Sequence, residues 1–446
     1  MARFNHLALA ALISFGFPEA ERWVTPSLTA APASDLRELI GQARGAPTAL
    51  CALAASAVGN GWGGWGDAPA TLLPRPTMRR SHRDSLSADD VQFLLQSLSV
   101  PDPCVREVAV RVLGGEDNEA VTTGLVARLG ASDSAERLVA TLGLGLVDSK
   151  RAVEPLLRTI RDGASGVRAN AVWALGRLED GRAVRPITGA LSDGAAIVRA
   201  AAAGALGHLD STSAVPALIR VLGSDPVPAV RRTAAWAIAT LEAKEGVEAL
   251  ARALHGDTDA QVREMCAWAL GELESRPTPA ALLDAAGKDS DEEVRETAVW
   301  ALGQLEESSA AAILGQALAR DQSPRVRGTA AWALGQLELK SAPNALIDAL
   351  QAVERDLRVR AAWALGEIGD EAAIPALRTA LGKEQDAQAR KAEIRALIQS
   401  GERSERLTEL LRSKDPEIRV AAIRGIAGHG GMDPWPWPEP RPRPFP

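Results

Sequence analysis

Six tryptophans stand at one phase of a repeat and are the residues best suited to do chemistry: Trp173, Trp236, Trp268, Trp300, Trp332 and Trp363. An indole offers a large rigid apolar face and one N–H donor. The chemistry it serves is recognition, because it buries much area for little lost entropy. Charged and amide side chains recur one helical turn away, where they share a face with the indoles. Arg232, Glu264 and Glu296 precede their tryptophans by four residues, and Glu272, Gln304, Gln336 and Glu367 follow theirs by four. Acids beside indoles favour a protein or peptide ligand with basic or proline-rich segments. The competing expectation is a self-packed tryptophan ladder that holds no ligand.

Nothing else in the chain assembles into a reactive group. The histidines His6, His82, His208, His255 and His429 are scattered. The cysteines Cys51, Cys104 and Cys266 form no C-x-x-C pair, and no His/Cys cluster has metal spacing. No glycine-rich phosphate loop or nucleophile elbow occurs. The expectation is therefore no catalytic residue, no metal and no cofactor.

The elements that must position the indoles follow from their spacing. The tryptophans sit in the sentence V-R-x-x-A-x-W-A-L-G-x-L, as in Val294 to Leu305. Its arginine recurs at positions 106, 137, 168, 199, 231, 263, 295, 327, 358, 390 and 419, a step of 29 to 32 residues. A fixed period of this size marks a stacked array of supersecondary units. Each unit holds two apolar runs. The first, as in Ala214 to Leu222, carries Pro216 in its first turn, where the missing amide hydrogen costs nothing. Pro155, Pro186, Pro343 and Pro375 take similar places. A short Asp/Ser/Pro break then leads into the second run, as in Val230 to Leu241. The pattern is helix–turn–helix. Phasing at about 100° per residue puts Val230, Ala234, Ala237, Ile238 and Leu241 on a core stripe. Trp236 falls opposite, near Arg232 and Thr240. Packing within its own unit does not explain it.

On these motifs the stretch from Asp90 to Gly428 resembles the HEAT-repeat family, in the short variety also seen in phycobilin-lyase-type repeats. The resemblance implies an all-α fold: a right-handed α-solenoid of about eleven helix pairs with a divergent N-terminal cap. It implies that turn aspartates and second-helix arginines bond along the stack. Here Asp162, Asp193, Asp225, Asp257, Asp289 and Asp321 each lie six residues before Arg168, Arg199, Arg231, Arg263, Arg295 and Arg327. Val100, Ala131, Ala352 and Ser413 occupy that place in outer units, so the ladder should be continuous only in the middle. The resemblance further implies that second helices line the concave side and present the tryptophans to the groove. In other units that slot holds Gly204, Leu142, Arg111, Arg395 or Arg424. Iron-dependent hydroxylases built on such repeats use repeated His-Glu pairs, and no histidine here precedes a glutamate. A phycobilin-lyase-like, chromophore-handling protein is the alternative function, although no acid or base can be assigned to it.

Charge narrows the partner. The net charge is −7, and the segments before Val91 and after Gly428 are each balanced, so the whole acidic excess lies in the repeats. Phosphate-backbone binding requires clustered positive charge, so nucleic acid is not expected. The ends read differently. Residues 1–33 hold Arg3 and His6 before the apolar run Leu7 to Phe17, followed by Ala31-Pro32-Ala33. That is a possible signal peptide, which would place the protein in the periplasm or export it, with the cytoplasm as the alternative. Residues 34–59 read as a capping helix pair, and residues 60–89 as a Gly/Pro/Arg-containing loop. The array takes residues 90–428. Residues 429–446 form an extended tail with proline at every second position from Pro434. One expected partner of the groove is this tail. The function expected from sequence is a non-enzymatic protein- or peptide-binding scaffold, with a regulatory role as one use.

Overall fold

A computed structural model describes residues 36–44, 86–116, 118–402, 405–414 and 416–426. The expected leader, the loop up to residue 85, the second capping run and the proline-rich tail lie outside the described residues.

The units begin as the sequence dictates. A 3-10 turn such as Thr212–Ala214 leads into a first helix, here Val215–Ser224 with Pro216 in its opening turn. The break follows, and then the second helix, Pro228–Thr240. Equivalent second helices are Ser134–Val147, Ser165–Arg177 and Ala196–His208, then Ala260–Glu272, Glu292–Gln304, Pro324–Gln336, Arg355–Ile368, Ala387–Gln399 and Pro416–Ile426. No strand interrupts the described residues. The protein is an all-α solenoid, and its contacts divide it into one unit up to Leu241 and a second from Glu242.

Each break is tied by its aspartate. The Asp162 carboxylate accepts the Ala164 amide at 2.8 Å, Asp193 that of Ala195 at 2.8 Å, and Asp289 that of Asp291 at 2.9 Å. These bonds satisfy backbone donors ahead of the helix, where no intrahelical partner exists. Most second helices end at a residue in the left-handed region, among them Glu179 (φ 47°), Asp210 (φ 46°), Glu274 (φ 45°), Glu306 (φ 53°) and Gly369 (φ 66°).

Second helices stack on second helices more extensively than first helices stack on first helices. Side-chain size is the cause. Val230, Ala234, Ala235, Ala237 and Ile238 are all completely buried, so the stripe and the flanking alanines both face neighbours. Small residues let helix axes approach closely. Cys266, at a motif alanine position, is buried and outside any disulfide, while Cys104 is disulfide-bonded.

Candidate interaction face

The tryptophans are part of the stack. A Cβ added at Gly145 would lie 2.5 Å from Cζ3 of Trp173, and one at Gly207 2.5 Å from Cζ3 of Trp236. In the second unit the pairs are Gly271 with Trp300 (3.0 Å), Gly303 with Trp332 (2.7 Å) and Gly335 with Trp363 (2.5 Å). The glycine that closes the motif of one repeat therefore seats the indole of the following repeat. Where the slot holds Gly204, no indole arrives, and the equivalent seat, Gly176, is met by Ala205 at 2.7 Å.

This seating corrects part of the sequence expectation. Trp300 and Trp332 are 1% exposed and face no solvent. Arg232, expected beside Trp236 on the ligand side, is buried as well, at 7%. Trp173, Trp236, Trp268 and Trp363 are half-buried, with part of each indole at the surface. The physical reason is the stacking of second helices. A side opposite a helix's own core stripe faces the next repeat before it faces water.

In the unit up to Leu241, the Arg177 guanidinium lies 5.4 Å from the Trp173 ring centroid, a cation–π arrangement, and its Nε donates to the Gly145 carbonyl at 3.0 Å. His208 packs against Trp236 with ring centroids 5.3 Å apart. In the unit from Glu242, Glu272 is exposed, while Glu264, Gln304, Gln336 and Glu367 are half-buried. Glu296 is held inside this face. It pairs with Arg325 Nη2 at 2.6 Å and accepts from Thr329 Oγ1 at 3.3 Å, and burial raises its carboxyl above the ordinary value. The Arg360 guanidinium fills the space beside Gly328, where an added Cβ would meet its Nη1 at 2.6 Å. Burial pushes Arg360 below its ordinary value.

The arginine ladder runs along the turns. Arg168 donates Nε and Nη2 to both oxygens of Asp193 at 2.8 Å, and Arg199 does the same to Asp225 at 2.6 and 3.0 Å. Arg263–Asp289 and Arg295–Asp321 repeat the bidentate geometry. Each of these arginines also donates Nη1 to the carbonyl of its own unit's aspartate, as Arg168 does to Asp162 at 2.9 Å and Arg231 to Asp225 at 2.8 Å. Arg327 donates Nη1 to the Asp321 carbonyl in the same way, at 2.8 Å. Asp162 and Asp193 are held below the usual carboxylate range, first by the guanidinium hydrogen bonds of Arg137 and Arg168. Asp257 belongs to the same series and holds the Asp259 amide at 2.9 Å.

The ladder extends further than the sequence pattern implied. Arg106 reaches Asp133 at 2.5 Å, and Arg327 reaches Glu354 at 2.6 Å. Both acids lie two residues after the alanines, Ala131 and Ala352, that seemed to break it. The turn is short enough that either position meets the same guanidinium. Arg358 binds Glu384 with both donors, at 2.6 and 3.0 Å.

One group escaped the sequence argument. Glu393 stands where other repeats place the buried motif alanine, as at Ala298, Ala330 and Ala361. It is 0% exposed and neither carboxylate oxygen has a hydrogen-bond partner. Burial, with Glu384 adding to it and Arg358 and Arg390 opposing, pushes its carboxyl up to about 8. An acid at a motif alanine was the available signal.

Among the described residues, no group of His, Cys, Asp or Glu could hold a metal ion, and no helix is long and apolar enough to cross a membrane. The family model for HEAT repeats matches at residues 122–206, 185–271, 247–335 and 311–398, taking in more than half of the chain.

The chain belongs to the HEAT-repeat family.

Its seated tryptophans and turn ladder are thus variations within HEAT packing. No curated protein matches the chain in sequence. Among solved structures, a chain of the complex of Kap95p with RanGDP superposes with a TM-score of 0.53 at 14% identity, over 76% of this chain and 57% of that one. An engineered protein aligns at 21% identity and a TM-score of 0.39, over 77% of this chain and all of that one. The YIBA protein of E. coli aligns at 25% identity and a TM-score of 0.41, over 55% and 91% of the two chains.

Proposed function

We propose that this HEAT-repeat protein is a non-enzymatic scaffold that binds a protein or peptide along its row of second helices. One observation carries the proposal. The row presents indole edges at Trp268 and Trp363 beside the carboxylates of Glu264, Glu272 and Glu367, on helices whose backbones are locked by the arginine ladder. A rigid aromatic anchor with nearby charge is the composition of a binding hot spot. Kap95p, which binds RanGDP in its solved structure, supports the same use of the fold. Buried Trp300 and Trp332 act as structural spacers that set the distance between the exposed edges. The acids select a ligand with basic or proline-rich segments, because extended proline-rich backbone docks on aromatic surfaces. No observation favours the chromophore-handling alternative.

Fluorescence anisotropy with a labelled peptide of alternating arginine and proline tests this. Binding is expected with the wild type and is lost in Glu272→Lys/Glu367→Lys at unchanged thermal stability. A preference for the alternating glutamate–proline peptide would refute it.

A further inference from the structure

We propose that the chain supplies its own ligand: Pro434–Pro446 lies extended along the second helices of the unit from Glu242. Trp435 and Trp437 meet the stretch between Gln336 and Trp363, and Arg441 and Arg443 meet Glu272 and Glu264. The inference rests on that face being a peptide-binding surface and names its resident occupant.

Four observations carry it. The first is conformation. The sequence PWPWPEPRPRPFP has proline at every second position, which excludes helix and favours the polyproline II form that aromatic-lined surfaces receive.

The second is reach. The described chain ends at Ile426 in the helix Pro416–Ile426, and Trp435 is nine residues further on. At about 3.1 Å per residue that is roughly 28 Å. Second helices spaced by about 8–10 Å place the helix Pro324–Gln336 three steps back, at a similar distance. Arg441 and Arg443 are 15 and 17 residues beyond Ile426, roughly 47–53 Å in extended form. Five steps back stands Ala260–Glu272, which carries Glu264 and Glu272.

The third is direction. The helix Pro416–Ile426 has described repeats on one side only. A tail that contacts the array must therefore run back over the repeats that precede it.

The fourth is charge. The tail carries Asp433 and Glu439 before its two arginines. By the same spacing the arginines fall at Ala260–Glu272, which carries Glu264 and Glu272. Tethering then gives the tail a high effective concentration over any free competitor, so the tail acts as an autoinhibitory occupant.

The test uses the full chain labelled with 5-fluorotryptophan. Trp435→Phe and Trp437→Phe assign the tail resonances in fluorine NMR, and a synthetic peptide of residues 434–446 gives their free positions. The expected result is tail resonances displaced from the free-peptide positions. Arg441→Glu/Arg443→Glu should return them, and should tighten binding of the arginine–proline probe roughly tenfold if the open face is about a tenth of the wild-type population. Wild-type tail resonances at the free positions would overturn the proposal. So would displaced resonances indifferent to the charge reversal. If the tail is free but the probe still shifts the Trp268 and Trp363 resonances, the binding face stands and only its resident occupant fails. If the probe shifts nothing either, both fail.

Discussion

Gly303→Ala isolates the contact on which the stack depends. A methyl at Gly303 would stand 2.7 Å from Cζ3 of Trp332, 2.9 Å from Cβ of Ala333 and 3.0 Å from its Cα. Carbon atoms rest at about 3.5–4.0 Å, so the new group is roughly an ångström too close to three atoms. Trp332 is 1% exposed and Ala333 fully buried, so neither can retreat into solvent. Overpacking of this kind costs about 1–3 kcal/mol. Against it stands the gain of about 1 kcal/mol when alanine replaces glycine inside a helix. Gly315 measures that gain alone: it lies within the helix Ala311–Arg320, and its nearest neighbour to an added Cβ is Ala345 Cβ at 4.0 Å. Gly315→Ala should therefore stabilise by about 1 kcal/mol, and Gly303→Ala should fall below it by about 1–3 kcal/mol. Urea unfolding followed by far-UV dichroism reads the difference. Hydrogen exchange across Glu292–Gln304 localises it, since arrays can open by neighbouring repeats. In a Trp332→Leu background the penalty should shrink, giving a coupling energy of about 0.5–3 kcal/mol. Equal stabilisation by both alanines would refute the seating of indoles on glycines.

Other expectations follow from the same geometry. Glu274→Gly and Glu306→Gly should each stabilise by about 1 kcal/mol in urea unfolding, because left-handed backbone and a carboxylate at a helix C-terminus both disfavour glutamate there. Trp300→Ala should cost about 3–5 kcal/mol, as for a buried aromatic, and half-buried Trp268→Ala clearly less, measured as thermal midpoints. The depressed ladder carboxylates Asp162 and Asp193 contribute stability that is present above their ordinary value of 3.8 and lost as pH falls through their lower folded values. The urea midpoint should therefore drop in acid, and less so in Asp162→Asn, which has already lost its share. Glu393 works in the opposite sense. Raised from 4.5 to about 8, it leaves stability complete below pH 4.5, and that contribution declines as pH rises through about 8. Glu393→Gln should flatten that decline between pH 4.5 and about 8, read by hydrogen exchange across Ala387–Gln399.

The period, the helix pairs and the middle of the ladder were legible because repetition multiplies weak signals. Eleven arginines at one spacing say what a single arginine cannot. The ladder's ends were not legible, because a fixed offset misses a carboxylate two residues away in the same turn, as at Asp133 and Glu354. Helical phasing placed Trp236 and its equivalents opposite their own core stripe, and that much holds. It treats one helix at a time, however, and a second helix in a stack touches repeats on both sides. Trp300, Trp332 and Arg232 were therefore assigned to solvent and are instead enclosed. The motif glycines were legible as recurring places in the pattern but not as seats, since the indole that needs each one comes from the next repeat. Glu393 is one exception at an otherwise uniform small-residue position, and a pattern built on uniformity passes over it.

The binding face is tested most directly by photo-crosslinking an arginine–proline peptide that carries a diazirine to the full chain and mapping the adducts by mass spectrometry. Adducts are expected on Ala260–Glu272, Pro324–Gln336 and Arg355–Ile368, around Trp268, Glu272, Trp363 and Glu367. Adducts confined to first helices such as Val247–Gly256 and Ala311–Arg320 would contradict the account.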